Sequence, residues 1–123
     1  MKQILLIAER SECGSLYTSF LEGAGCAVTN ISKLAKNEYK DMFGKPFDLV
    51  ILTTNGQLPG DILDQAFFLR DNHPDRKILV LTGWSDQEFL ARLKEMAAEV
   101  QSLPVQRDAF IKLVRSFVPE QEG

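Results

Sequence analysis

The 123-residue chain predicts an α/β fold, a doubly wound parallel sheet of five strands with helices on both faces. Three observations predict it. Apolar runs of strand length recur without polar alternation, as expected of strands buried on both faces. Between them lie helix-length segments whose apolar residues fall three and four positions apart. The connections are short and carry glycine, proline and asparagine, so strand and helix signals alternate along the whole chain. No internal repeat, low-complexity segment or long linker interrupts the pattern. Residues 1–118 are therefore expected to form one domain, and residues 119–123 a flexible tail.

The elements follow in order. Residues 3–8, QILLIA, are the first strand, ended by Glu9-Arg10-Ser11. Over residues 12–24, Cys13, Leu16, Tyr17, Phe20, Leu21 and Ala24 lay one stripe along a helix, which Gly23 and Gly25 stop. Residues 26–31 read as a short strand. Ser32 is a plausible N-cap for a second helix over residues 33–43, with a partial stripe of Leu34, Ala35, Tyr39, Met42 and Phe43. Residues 48–52, DLVIL, are the central strand, which empties into TTNGQLPG. Asp61 can cap a third helix to about residue 71, with Leu63, Ala66, Phe67 and the stem of Arg70 inward. Asn72-His73-Pro74-Asp75 is a turn cluster, and residues 77–82, KILVLT, are the fourth strand. Ser85-Asp86-Gln87-Glu88 has the capping-box pattern, so a helix should start at Asp86 and bury Phe89, Leu90, Leu93, Met96 and Ala97. A fifth strand, 99–102, leads through Leu103-Pro104 to a last helix over about 107–118, with Phe110, Leu113, Val114 and Phe117 inward.

Composition bounds the function. A formal net charge of -3, with no cluster of lysine and arginine, argues against nucleic acid as a direct partner. The two cysteines, Cys13 and Cys26, have neither metal-ligand nor redox-motif spacing, which fits a reduced, cytoplasmic setting. The first apolar run is too short for a signal-peptide core, and nothing approaches the roughly 20 apolar residues of a membrane span. No membrane partner is expected, and no constellation calls for a cofactor or marks an enzyme.

In open α/β sheets, ligands collect outside the carboxyl ends of the strands, so residues 53–60 are the first place to look for chemistry. That loop offers hydroxyls, an amide and backbone groups, but no carboxylate, histidine or cysteine before Asp61.

The residues LLIAE, DLVIL followed by PGD, ILVLTGW, and SLPV followed by a helical Phe110 resemble the receiver domain of two-component response regulators, from Ile4 to Phe117. The resemblance implies a flavodoxin-like (βα)5 three-layer sandwich with strand order 2-1-3-4-5. It also implies a phosphorelay chemistry: an aspartate phosphoacceptor after the third strand, a magnesium-binding acid pair after the first, a Thr or Ser after the fourth and a Lys before the fifth-strand proline. Carried over residue by residue, Ala8 replaces the first acid and Glu9 keeps the second. The acceptor position falls on Thr53 counted from the strand, or on Asn55 counted back from Pro59, because the loop is about two residues longer than the family's. Thr82 matches the hydroxyl residue, Leu103 replaces the lysine, Pro104 keeps its place, and Val100 stands where the family often has a switch aromatic. An acyl phosphate needs a carboxylate nucleophile. Glu9 alone, with Asp61 displaced along the loop, makes a poor magnesium site.

The resemblance thus implies a pseudo-receiver, a bacterial signalling module that has abandoned phosphorylation and acts through protein contacts or self-association. In the family, the fourth helix, fifth strand and fifth helix carry such contacts, and Trp84, Arg92, Val100, Gln101, Arg107 and Lys112 are the candidate positions here. Two alternatives stand beside it. Cys13, near a helix start, resembles the nucleophile of phosphocysteine carrier domains and could make a small phosphoryl or thiol carrier, though its place on the apolar stripe favours a core role. Thr53, Thr54, Asn55 and Thr82 could bind a small anion or nucleotide, though turn residues that satisfy their own backbone are the plainer reading. Glu9 reads as a solvated strand-end acid, Asn55-Gly56 as turn chemistry, Cys26 as core and His73 as a surface turn. Trp84 either shields the crevice or anchors a partner.

Overall fold

A computed structural model describes residues 2–9, 12–54, 57–96, 99–103 and 105–118; of Glu12 and Cys13 it describes the backbone alone. The elements are β1 (Gln3–Ile7), α1 (Glu12–Gly23), β2 (Ala27–Ile31), a 3-10 turn (Lys36–Glu38), α2 (Tyr39–Phe43), β3 (Leu49–Thr53), α3 (Pro59–Asn72), β4 (Lys77–Thr82), α4 (Gln87–Glu95), β5 (Glu99–Ser102) and α5 (Arg107–Phe117). All strands pair in parallel in the order β2-β1-β3-β4-β5. This is the doubly wound parallel sheet that the alternation of signals predicts, in the flavodoxin-like strand order that the resemblance to receiver domains implies.

The period of two along each strand divides the core. Leu5, Ile7, Val50, Leu52, Ile78 and Val80 face α2, α3 and α4, where Phe43, Ile62, Leu69, Phe89 and Leu93 cover them. Ile4, Leu6, Leu49, Ile51, Leu79 and Leu81 face α1 and α5, under Tyr17, Leu21, Phe110 and Val114. Each such aliphatic side chain contributes about 1.5–3 kcal/mol on burial, so the apolar runs of β1, β3 and β4 are the main driving force for the fold.

The structure corrects several local expectations. Among the described side chains of α1, Gly14, Tyr17 and Leu21 are buried and Phe20 packs partly against the core, while Leu16 is 48% exposed, one position off the buried face. No helix follows Ser32 directly. Leu34 is drawn into the core, which leaves Ala35 extended, and the Glu38 carboxylate accepts a hydrogen bond from the Ala35 N–H at 3.0 Å, so helical turns begin only at Lys36. Helix α3 starts at Pro59, whose fixed φ suits a first helical position, rather than at an Asp61 cap. Its buried stripe is Ile62, Gln65, Ala66 and Leu69, and Phe67 is 53% exposed. Phe68 instead turns to α2, with its ring 5.5 Å from Tyr39 and 5.8 Å from Phe43. At α4 the cap is Asp86 and not Ser85, since Asp86 Oδ1 accepts from Glu88 N at 2.9 Å and Phe89 N at 3.1 Å. Ala97 lies outside the described residues. Cys26 is only partly buried, packed beside the α1 and α5 core.

Candidate functional site

At the carboxyl edge the first strand delivers Ala8, fully buried, whose N–H donates to Ile31 O at 2.9 Å. Asn30 of β2 closes this corner, donating to Leu6 O and Ala8 O. Glu9 follows, exposed. The last residue of β3 is Thr53, in register with Leu81 of β4. It is fully buried, and its hydroxyl donates to Ile7 O at 3.1 Å. Thr54 continues the ladder with its N–H on Leu81 O, and its Oγ1 accepts from Gly83 N at 3.1 Å. Thr82, 2% exposed, accepts from Trp84 N at 2.9 Å, while its carbonyl accepts from Leu103 N at 2.8 Å. The β3–α3, β4–α4 and β5–α5 loops are therefore tied together by the hydroxyls and carbonyls of Thr54 and Thr82.

The sequence reading missed the residue that fills this edge. Gln57, 7% exposed, folds back over the strand ends. Its Nε2 donates to Thr53 O at 2.9 Å and to Ile7 O at 3.4 Å, and its Oε1 accepts from Gln65 Nε2 at 2.9 Å. Gln65 is fully buried on α3. Burial raises the Tyr39 pKa above the ordinary 10.0, with Asp64 and Asp61 adding to the rise and the Gln65 hydrogen bond opposing it. The signal available in the sequence was Gln65 itself, a polar residue three positions after Ile62 and four before Leu69 on the buried stripe.

Structure brings Ala8, Glu9, Thr53 and Thr82 to one edge and places Leu103 beside them, its side chain packed on the α1 and α5 core. Asn55 and Pro104 lie outside the described residues, as does the Cys13 side chain. Asp61 is exposed in the first turn of α3, where with Lys33, Tyr39 and Gln57 it lines a cavity of about 320 Å³. Among the described residues no group of three or more His, Cys, Asp or Glu side chains gathers to hold a metal ion. The amides of Gly83 and Trp84, which a small anion would need as donors, already bond to Thr54 and Thr82.

On the α4–β5–α5 side, Trp84 is partly buried, edge-on to Phe89 at 5.4 Å, and borders a cavity of about 460 Å³ with Pro59 and Asp86. Arg92 pairs with Glu88 at 3.1 Å, and Arg107 and Lys112 are exposed. Gln101 is partly buried, its Nε2 3.4 Å from Ser102 O. Val100 is partly buried and packs against the α2, α3 and α4 core, because β5 keeps the same facing as Val80, its register partner. His73 ends α3 at the opposite edge of the sheet. Among the described residues no helix is long and apolar enough to cross a membrane.

No family model and no curated protein matches the sequence. Solved structures do match it. Response regulator protein TrrA from Thermotoga maritima, in complex with Mg(2+)-BeF, is 25% identical, with a TM-score of 0.77 over 95% of this chain and 99% of that one. A CheY-like response regulator receiver domain protein from Methanospirillum hungatei JF-1 is 16% identical, with a TM-score of 0.83 over 99% and 97%. A two-component response regulator from Clostridium difficile is 14% identical, with a TM-score of 0.82 over all of both chains. The fold of this chain is therefore that of the CheY-like receiver domains of response regulators.

Proposed function

We propose that this chain is a receiver-like signalling module that works without phosphorylation, through protein contacts or self-association on the face made by α4, β5 and α5. One observation carries the reading. Thr53, at the end of β3 where an acceptor carboxylate is required, is a fully buried neutral side chain whose hydroxyl donates to Ile7 O. The residues around it do not fit a divalent cation either. Ala8 has no side-chain ligand atom and its carbonyl receives the Asn30 amide, Glu9 is exposed, and the Ile7 and Thr53 carbonyls already receive the Gln57 amide. The α4–β5–α5 side, in contrast, keeps its secondary structure and presents Arg92, Arg107 and Lys112. Among proteins of the same fold, the NtrC4 receiver domain forms a beryllofluoride-activated dimer; here the equivalent contact would form without activation.

An amide NMR titration with magnesium and beryllofluoride, the mimic of an aspartyl phosphate, tests the first half. No shift is expected at Glu9, Thr53 or Thr82. Saturable shifts there that spread to Leu103 and Trp84 would overturn the reading. Sedimentation of the protein alone, and of Arg107→Glu, tests the second half. Self-association that the substitution weakens supports the α4–β5–α5 face, and association indifferent to Arg107 and Lys112 charge reversal removes it.

A further inference from the structure

We propose that Gln57 is an internal plug of the strand-end crevice, latched from behind by Gln65, so that the chain closes its own ligand pocket to water and to any external hydrogen-bond donor. The argument starts from the chemistry of the pocket. Its floor is two carbonyl oxygens, of Ile7 and Thr53, which can only accept hydrogen bonds. The Thr53 hydroxyl supplies one donor to Ile7 O; the Thr53 carbonyl needs another. An outside occupant would have to be a water, an ammonium group or a cation. Gln57 supplies the donors from within, with one nitrogen reaching both oxygens.

The amide orientation is fixed by the network. Gln65 Nε2 donates to Gln57 Oε1, so the oxygen of Gln57 must face α3 and its NH2 group must face the strands. Gln65 thus acts as the latch, and it is fully buried. Its own Oε1 is buried with no hydrogen-bond partner, which makes the latched state costlier than a fully satisfied network. The hydrogen-bonded chain runs from Gln65 on α3 through Gln57 to the ends of β1 and β3. The loop position is consequently coupled to α3. This inference stands apart from the signalling role proposed above and survives its failure.

The test is hydrogen exchange of side-chain carboxamides in the 15N-labelled full chain, with the Gln57 resonances assigned by their loss in Gln57→Ala. In the wild type the Gln57 NH2 group should exchange roughly tenfold or more slowly than that of exposed Gln106. In Gln65→Leu, which keeps the buried volume and removes the latch, the Gln57 group should exchange like Gln106, while the amides of Val50 and Leu79 keep their protection. Gln65→Met provides the same comparison should the leucine variant not fold. Exchange of Gln57 at the Gln106 rate in the wild type overturns the plug. Undiminished protection of Gln57 in a folded Gln65 variant overturns the latch.

Discussion

Alanine is the better helix former by about 1 kcal/mol, so replacing a glycine within α1 should stabilise the helix wherever a methyl group has room. At Gly14 there is none. A Cβ there would press into the Glu9 carbonyl oxygen, 3.0 Å from its carbon and 3.3 Å from the Ala8 oxygen. These are backbone atoms of the turn leaving β1, so relief requires lifting the first turn of α1 from the strand that Tyr17 and Leu21 cover. Overpacking costs about 1–3 kcal/mol, and a clash against backbone rather than a flexible side chain belongs at the top of that range. Subtracting the propensity gain leaves Gly14→Ala destabilised by about 2 kcal/mol, or roughly 6–10 °C in Tm for a domain of this size. Gly23, the last residue of α1, has nothing within 4 Å of its would-be Cβ, and Gly23→Ala should be neutral to about 1 kcal/mol stabilising. Urea unfolding followed by circular dichroism, with equal m-values, reads both. A Gly14→Ala protein as stable as the wild type, or an equal loss in Gly23→Ala, would refute the close approach of α1 to the β1 exit.

Four further outcomes are expected. Asp86→Ala removes the acceptor for two helix N–H groups and should cost about 1 kcal/mol in the same urea assay, whereas Ser85→Ala should cost almost nothing; the reverse order would restore the capping box. Arg76→Met breaks a 2.6 Å bond from Nη1 to Phe43 O that ties the end of α2 to the start of β4, at a cost of about 1–2 kcal/mol, and no loss would show the bond to be incidental. Burial first, and then the Arg76 charge, hold the His73 pKa below its ordinary 6.5, so the fold favours the neutral ring. Stability should be full above that value and fall as the pH drops below it, and His73→Gln should flatten the slope measured between about pH 8 and about pH 5. For Tyr39 the sign is opposite: its raised pKa means stability is kept below 10.0 and lost above it, and Tyr39→Phe should remove that alkaline loss.

What the sequence made legible was whatever hydrophobic period encodes. The runs at β1, β3 and β4 read as strands because they are continuous, aliphatic, of strand length and bounded by turn residues, as expected of a strand covered on both faces. The spacing of Phe110, Val114 and Phe117 likewise places α5. Where the prediction missed, a polar or steric preference outweighed the period. Leu34 looked like the start of a helix, yet it reaches the core only from an extended segment, with Glu38 bonded to the Ala35 amide in place of a helical partner. Phe67 looked like core, yet Gln65 holds the buried slot on α3 because its amide has a partner in Gln57. At the candidate site the alignment of residue types brought out Ala8, Thr53 and Thr82, since each stands at a strand end and strand ends were readable. Gln57 was invisible, because a glutamine in a loop carries no periodic signal and its partner lies eight residues on.

The length of the β3–α3 loop connects these points. The resemblance of PGD and DLVIL leads one to expect about two residues more than a receiver loop carries, slack that would let the chain turn back, and Gln57 N–H donates to Thr54 O at 3.4 Å. Slack alone would leave an open loop; the side chain at the turn decides whether it closes. A carboxylate at position 57 would bring an acceptor against the Ile7 and Thr53 carbonyls and could stay only with a cation between them. A leucine would bury two carbonyls with one donor lost to each. Glutamine alone among side chains of that length offers two donors to the strands and one acceptor to Gln65 while remaining neutral. The crevice at the carboxyl edge, the usual ligand site of an open α/β sheet, has on this reading become part of the core.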